Sequence, residues 1–433
     1  MTKITNALTW LAGPLAALLR PGAGAGHHYP RYSLAVRRWQ YRVVRLFYYA
    51  LSLLGLPPRA RPVIAALAAV VGAAAVAGCG AAAPHDISGA GNTAAQQAAA
   101  NPNLDPGTSL HGKPAPDFSL TNQFGQRMSL SDFRGKVVIL AFTDSLCTTV
   151  CPLTTESMLA AKQLLGQAGS HIQLLGVNAN PAATKVPDVL SYSRAHSMVN
   201  QWDFLTGSDA QLAKVWKAYD IYAQIVKGQV DHTPAVYIID TRGREQKLYL
   251  TTMAYASIGQ AAQVMAQESA SLLPGHPKLA STRSLAYVSG LSPRTAVRLA
   301  TLPSGSLTLG PGKSHLVMFF ATWLDETSDL RARLLGLREY VRSEQDQGLP
   351  SLIAVDEEAA ESSAATVRSY MASLGRPLGY PVALDPTGRL ADGYGVQDQP
   401  WFVLTSAAGK ILWKHDGWLP VNQLIASVRA ASR

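Results

Sequence analysis

The chain has 433 residues, 48% of them hydrophobic and 15% charged, which is enough for more than one packed domain. Its formal charge of +10 is concentrated in residues 1–61, which hold nine Lys/Arg and no Asp or Glu, while the rest of the chain carries 29 basic and 28 acidic residues. A near-neutral body excludes a polyanion-binding surface as the origin of the high pI, so no nucleic acid partner is expected.

Residues 1–61 read as a basic leader with two apolar stretches, "ALTWLAGPLAALL" and "LFYYALSLLGL". His27 and His28 within it read as loop residues rather than ligands. Residues 62–79 follow with an uncharged run from Pro62 to Gly78 and then Cys79. Arginines, an apolar core and small residues before a cysteine are the layout of an export signal. The end, "VAGC", is similar to a bacterial lipobox, and that similarity makes Cys79 the expected lipid attachment site. The alternative is an uncleaved membrane helix, for which 17 residues are short of the roughly 20 a span needs. Either reading leaves the basic side in the cytoplasm. The expected location is the cell membrane, with the globular parts anchored on the extracytoplasmic side. Residues 80–107 are small, polar and punctuated by Pro and Gly, as a flexible tether would be.

From residue 108 the pattern becomes globular. "KVVILAF" and "IQLLGVNA" are continuous apolar runs that predict buried strands. "TTESMLAAKQLLGQAG", "VPDVLSYSRAHSM" and "DAQLAKVWKAYDI" predict helices, and "AVYIIDTRGREQKLYL" predicts a strand, a Gly turn and a second strand. Strands alternating with helices imply an α/β fold with a mixed central sheet. Residues 108–272 make the first such unit, 273–284 read as a linker, and 285–433 repeat the pattern. "GKVVILAFTDSLC" is echoed by "GKSHLVMFFATWL", and "HTPAVYIIDTRGR" by "DQPWFVLTSAAGK". Aligned on Gly135 and Gly312, Cys147 falls opposite Leu324 and Cys151 opposite Ser328. Aligned on Pro234 and Pro400, His232 falls opposite Asp398. The second copy therefore has no thiol chemistry, and a structural or partner-binding role is expected of it. Trp323, Trp401, Trp413 and Trp418 in that copy read as core.

Two of the three cysteines stand four apart in "FTDSLCTTVCP". Residues i and i+4 at a strand–helix junction face the same side, and a helix N-terminus favours a thiolate. Pro152 suits the first helical turn, where no N–H partner is needed. A structural disulfide is the plain alternative, and His232 in "VDHTPAVYIID" could equally be an ordinary core or surface residue. A peroxiredoxin reading of "APDFSL" lacks the Pro and Thr that should precede its cysteine.

The whole chain from 108 onward resembles thioredoxin: two tandem thioredoxin-like domains behind an N-terminal membrane anchor. That likeness implies a cis-proline at Pro234, beside the cysteine loop, and brings His232 next to the cysteine pair. Two thiolates and an imidazole suit copper, Cu(I) or Cu(II), with zinc as the competitor. The second copy resembles the reductase-like members, whose two cysteines are replaced here by Leu324 and Thr327 in "FFATWLDET". The first copy, over Leu110–Ala270, resembles more closely the Sco/SenC family of copper chaperones. The resemblance rests on "FTDSLCTTVCP", "VDHTPAVYIID", the lead-in "GKPAPDFSLTNQFGQRMSLSDFRGKVVIL" and "WDFLTGS". It implies copper ligation by Cys147, Cys151 and His232, a redox-active Cys147–Cys151 disulfide, and delivery of copper to the copper centre of cytochrome c oxidase, or reduction of that centre's cysteines, with a copper-receiving oxidase subunit as partner. The sequence departs from the family with Asn178 in "GVNANP" and with Leu146 before the first cysteine. The rival reading is a metal-free thiol–disulfide oxidoreductase using the same two cysteines.

Overall fold

A computed structural model describes residues 101–433 except 102, 281–289 and 327. The basic leader, the apolar run with Cys79, most of the tether, part of the linker and Thr327 lie outside the described residues. Among the described residues no helix is long and apolar enough to cross a membrane.

The first sheet is built from β1 (Thr108–Pro114), β4 (Val137–Thr143), β5 (Ile172–Asn178), β6 (Trp202–Leu205), β9 (Ala235–Ile239) and β10 (Arg244–Leu250). Its order is β1-β10-β9-β4-β5-β6. The strands β4, β5 and β6 are parallel; β9 runs antiparallel beside β4, and β10 antiparallel to β9. A small hairpin, β2 (Ser119–Thr121) with β3 (Arg127–Ser129), lies outside this sheet. Every residue of β4 is buried, as its unbroken apolar run requires. Its side chains alternate between two cores. Val137, Ile139 and Ala141 meet Met158 of α1 (Val150–Leu164) and Met265 of α4 (Ile258–Ser271). Val138, Leu140 and Phe142 meet Leu212, Val215 and Trp216 of α3 (Asp209–Ala218). A capping box opens α3: Ser208 N donates to Gln211 Oε1 at 3.0 Å, and Ser208 Oγ accepts from Gln211 N.

The second sheet has the order β12-β11-β15-β14-β13-β16-β17. Its strands are β11 (Val297–Leu302), β12 (Ser306–Leu309), β13 (His315–Phe320), β14 (Ser351–Asp356), β15 (Val382–Leu384), β16 (Trp401–Thr405) and β17 (Ile411–Asp416). Five strands in each sheet follow one plan: three parallel strands and then an antiparallel hairpin, β10-β9-β4-β5-β6 matching β17-β16-β13-β14-β15. The repeat visible in the sequence is thus a repeat of strand order. The additions sit on opposite edges, β1 beside the hairpin in one sheet and β11–β12 beside the third parallel strand in the other. Trp323 is buried, whereas Trp401, Trp413 and Trp418 are half-buried at the rim of the second core.

The two halves pack closely. Asp392 accepts hydrogen bonds from the backbone N–H groups of Tyr255 (2.8 Å) and Ala256 (3.3 Å). Gly388, at φ +66°, lies so near Tyr255 that a Cβ there would be 2.4 Å from the tyrosine Cβ, which leaves room for glycine alone. Leu153, Tyr255 and Ile258 of the first half share a core with Val317, Phe319 and Tyr394 of the second.

Candidate metal and thiol centre

The site begins where β4 ends. Asp144 Oδ1 accepts from Leu146 N (2.8 Å) and from Asn180 Nδ2 (2.6 Å), and Cys147 N donates to Asp144 O (3.2 Å). These bonds turn the chain sharply and set Cys147 at the mouth of α1 (Val150–Leu164). Thr149, the residue that caps α1, makes no side-chain cap bond; instead Cys147 Sγ accepts from Cys151 N at 3.4 Å. A sulfur thus takes one of the free N–H groups of the helix start. Pro152 sits in this first turn, as its missing N–H allows.

The two thiols are made unlike. Cys147 is partly exposed and Cys151 is buried. The Cys151 thiol beside Cys147 lowers the Cys147 pKa, helped by Thr149 Oγ1 at 3.2 Å and by the Cys151 N–H, against burial and the nearby Asp144. Burial, then the neighbouring Cys147, pushes Cys151 well up. Thiolate formation is therefore favoured at Cys147 over Cys151.

His232 arrives from a different part of the chain. It ends β8 (Gln229–His232), which pairs with β7 (Ala223–Val226). The two-residue turn Lys227–Gly228 has positive φ at both positions, 53° and 83°, the pattern of a type I′ hairpin. Sequence reasoning missed this hairpin because its strands are half-exposed and Lys is an unusual residue at positive φ. His232 Nε2 lies 3.5 Å from Cys151 Sγ. Its Nδ1 faces the Thr233 carbonyl at 3.2 Å, and a carbonyl only accepts, so the ring proton sits on Nδ1 and the Nε2 lone pair points at the sulfur. Burial holds the His232 pKa down, which keeps the ring neutral.

One expectation is corrected. The cis bonds among the described residues are Leu302–Pro303 and Gln399–Pro400; Thr233–Pro234 is not cis. The local hydrogen bonds account for the difference. Ala235 N donates to Thr233 O at 2.9 Å, closing a tight turn centred on Pro234, while Thr233 N is held by Tyr222 O at 2.9 Å as the hairpin continues. The second half does carry a cis proline at the matching position, Pro400.

Cys147, Cys151 and His232 are brought together, each touching the next. They make a line of contacts rather than a closed ring, and among the described residues no three His, Cys, Asp or Glu are already drawn into a metal-holding group. The donor set nevertheless fits a soft metal: two sulfurs side by side and an imidazole nitrogen facing the second of them. Leu146, standing where the family often has His, is exposed. Asn178 spends its side chain on backbone, donating to Ala183 O (2.6 Å) and accepting from Asn180 N (3.0 Å), so it does not reach the sulfurs. Asp144, Asn180 and Tyr192 were missed. The Tyr192 hydroxyl lies 2.8 Å from Thr155 Oγ1, which donates to Cys151 O. Asp144 lies in the loop itself, but Asn180 and Tyr192 are joined to it only through the fold, so nothing local in the sequence marks them.

Residues 107–267 match the SCO1/SenC family model. This segment is a SCO1/SenC domain. The SCO1/SenC segment is 26% identical over 139 residues to the SCO1 protein homolog of Bacillus subtilis, covering 30% of this chain and 71% of that protein. It is 29% identical over 141 residues to the mitochondrial SCO2 homolog of Bos taurus, covering 29% of this chain and 50% of that protein. Similar solved structures include apo Sco1 of Thermus thermophilus, at 25% identity, TM-score 0.33, 39% of this chain and 96% of the other. Bradyrhizobium japonicum ScoI with copper bound has 22% identity and TM-score 0.33, covering 37% and 99%. The family match stops before the second sheet.

Proposed function

We propose that this is an exported, membrane-tethered copper carrier of the Sco type, holding one copper through Cys147 Sγ, Cys151 Sγ and His232 Nε2. The anchor is the segment ending at Cys79 and the tether is residues 80–107, with both globular halves on the extracytoplasmic side. The receiving partner is the subunit of cytochrome c oxidase that carries its copper centre, to which Sco proteins as a family are linked. The observation that carries the reading is His232: its Nδ1 faces the Thr233 carbonyl and its Nε2 lies 3.5 Å from Cys151 Sγ, which adds a nitrogen donor to the two sulfurs.

In this reading copper is cargo. The Cys147 thiolate takes it first, Cys151 gives up its proton to become the second sulfur donor, and the imidazole completes the set. Transfer is by ligand exchange with the receiving site. Oxidation of the pair to a disulfide removes both sulfur donors, so carriage needs the dithiol.

The test is copper stoichiometry of the full chain, reduced, against its Cys147→Ser, Cys151→Ser and His232→Ala variants. One copper per chain, weakened at least tenfold in each variant, is expected. No copper in the parent, with ready turnover of a disulfide substrate that His232→Ala leaves intact, would favour the metal-free oxidoreductase.

A further inference from the structure

The cysteine loop touches more than its own half. Thr148, between the two cysteines, donates its Oγ1 hydrogen to Asp398 Oδ1, 250 residues away in the second half. Asp398 stands two residues before Pro400, as His232 stands two residues before Pro234. The loop is therefore bracketed by the pre-proline residues of both halves: His232 on Cys151, Asp398 on Thr148.

Asp398 is fixed in place. Its Oδ1 also accepts from Gln399 N at 2.7 Å, and the chain runs at once into β16, with Pro400 O accepting from Gly417 N at 2.9 Å. Further contacts pin the halves together elsewhere. Ser191 Oγ donates to Glu326 Oε2 (3.0 Å), Ser197 Oγ to Ser362 Oγ (3.0 Å), and the rings of His196 and Trp323 lie 4.9 Å apart. With Leu324 and Ser328 opposite the cysteine positions, the second half has no thiol of its own to offer; what it presents is a rigid acceptor.

We propose that the second half is a built-in positioning element for the cysteine pair: Asp398, acting through Thr148, holds the loop in its dithiol arrangement and makes the pair harder to oxidise. On this proposal, closing the disulfide draws Cys147 onto Cys151 and moves Thr148, the next residue, off Asp398. The bond is made in the dithiol, so it favours the dithiol. This rests on reading Cys147 and Cys151 as a redox-competent pair, and it does not need copper.

The experiment equilibrates the copper-free full chain with glutathione and its disulfide. An S–S bond forms between Cys147 and Cys151 as the S–S bond of glutathione disulfide breaks. Two electrons and two protons pass to the glutathione sulfurs, giving two glutathione thiols. The extent is read by alkylation and mass of the tryptic peptide 137–162, which holds both cysteines and excludes Cys79. Asp398→Ala and Thr148→Val should each raise the equilibrium constant for oxidation about tenfold, a shift of about 30 mV for two electrons. The double variant should also shift about tenfold, since one bond is removed once. Asp398→Asn and Thr148→Ser keep the acceptor and the donor and should stay within about twofold of the parent. Values within about twofold for both Asp398→Ala and Thr148→Val, or a double variant near a hundredfold, would overturn the proposal. If Asp398→Ala does not fold, Thr148→Val decides alone. A parent chain whose pair does not interconvert would remove the underlying reading instead.

Discussion

His232 Nε2 lies 3.5 Å from Cys151 Sγ, although 81 residues separate them in the chain. Two independent constructions meet there. One is a helix start that receives its cap from a sulfur; the other is an exposed hairpin whose last residue turns inward.

Asymmetry between the thiols is open to direct measurement. Cys147 is partly exposed with a lowered pKa, and Cys151 is buried with a raised one. Limiting iodoacetamide at neutral pH should modify Cys147 at least tenfold faster than Cys151, on the order expected from thiolate fraction and access together. Peptide mapping that finds equal labelling would contradict a thiolate favoured at Cys147.

Asn180 holds the loop from beneath through Asp144. Asn180→Ala leaves a buried carboxylate short of one donor, at a cost of about 1–3 kcal/mol. Urea unfolding should show a lower midpoint with an unchanged slope. An unchanged midpoint would mean that water replaces the amide and that the turn stands on its backbone bonds.

Burial between the halves should also appear as pH dependence. Burial raises Glu156 of the first half and Glu361 of the second each to about 7, and the Glu156 charge adds to the rise at Glu361. Asp356 and Glu358 add like charge around Glu361, which is held only by the Thr322 backbone N–H and hydroxyl. A carboxyl whose folded pKa exceeds its unfolded value binds more protons when folded. Its stabilisation is full below about pH 4.3 and is lost as pH rises to and through 7. Unfolding free energy should fall by about 2–4 kcal/mol between pH 5 and 8. Replacing both Glu156 and Glu361 by Gln should flatten that fall; a slope that survives the double replacement would place its origin elsewhere.

Leu153 tests whether the halves stand or fall together. It is 2% exposed, belongs to α1, and packs in the core shared with Val317 and Phe319. Leu153→Ala should cost about 2–5 kcal/mol. The loss should lower one common transition, followed in parallel by a first-half probe, Trp202, and a second-half probe, Trp413. Two separated transitions would argue that the halves unfold independently.

Local pattern was enough for much of this protein. Short unbroken apolar runs set between helical patterns are the mark of central strands covered on both faces, so β4 and β5 were readable from residues 137–178, and the α/β class with them. The tandem repeat was readable because matched strands need matched apolar runs. Cys147 and Cys151 announced a site because four-residue spacing at a strand–helix junction puts both sulfurs on one side. His232 entered through resemblance alone. Tertiary structure decided what no local pattern encodes. The geometry of Thr233–Pro234 follows from hydrogen bonds to Tyr222 and Ala235. The partners of the cysteine loop, Asp144 with Asn180 and Thr148 with Asp398, are set by where separate segments come to rest. A side chain's chemistry is written in its residue, but its neighbours are written only in the packing that brings distant residues together.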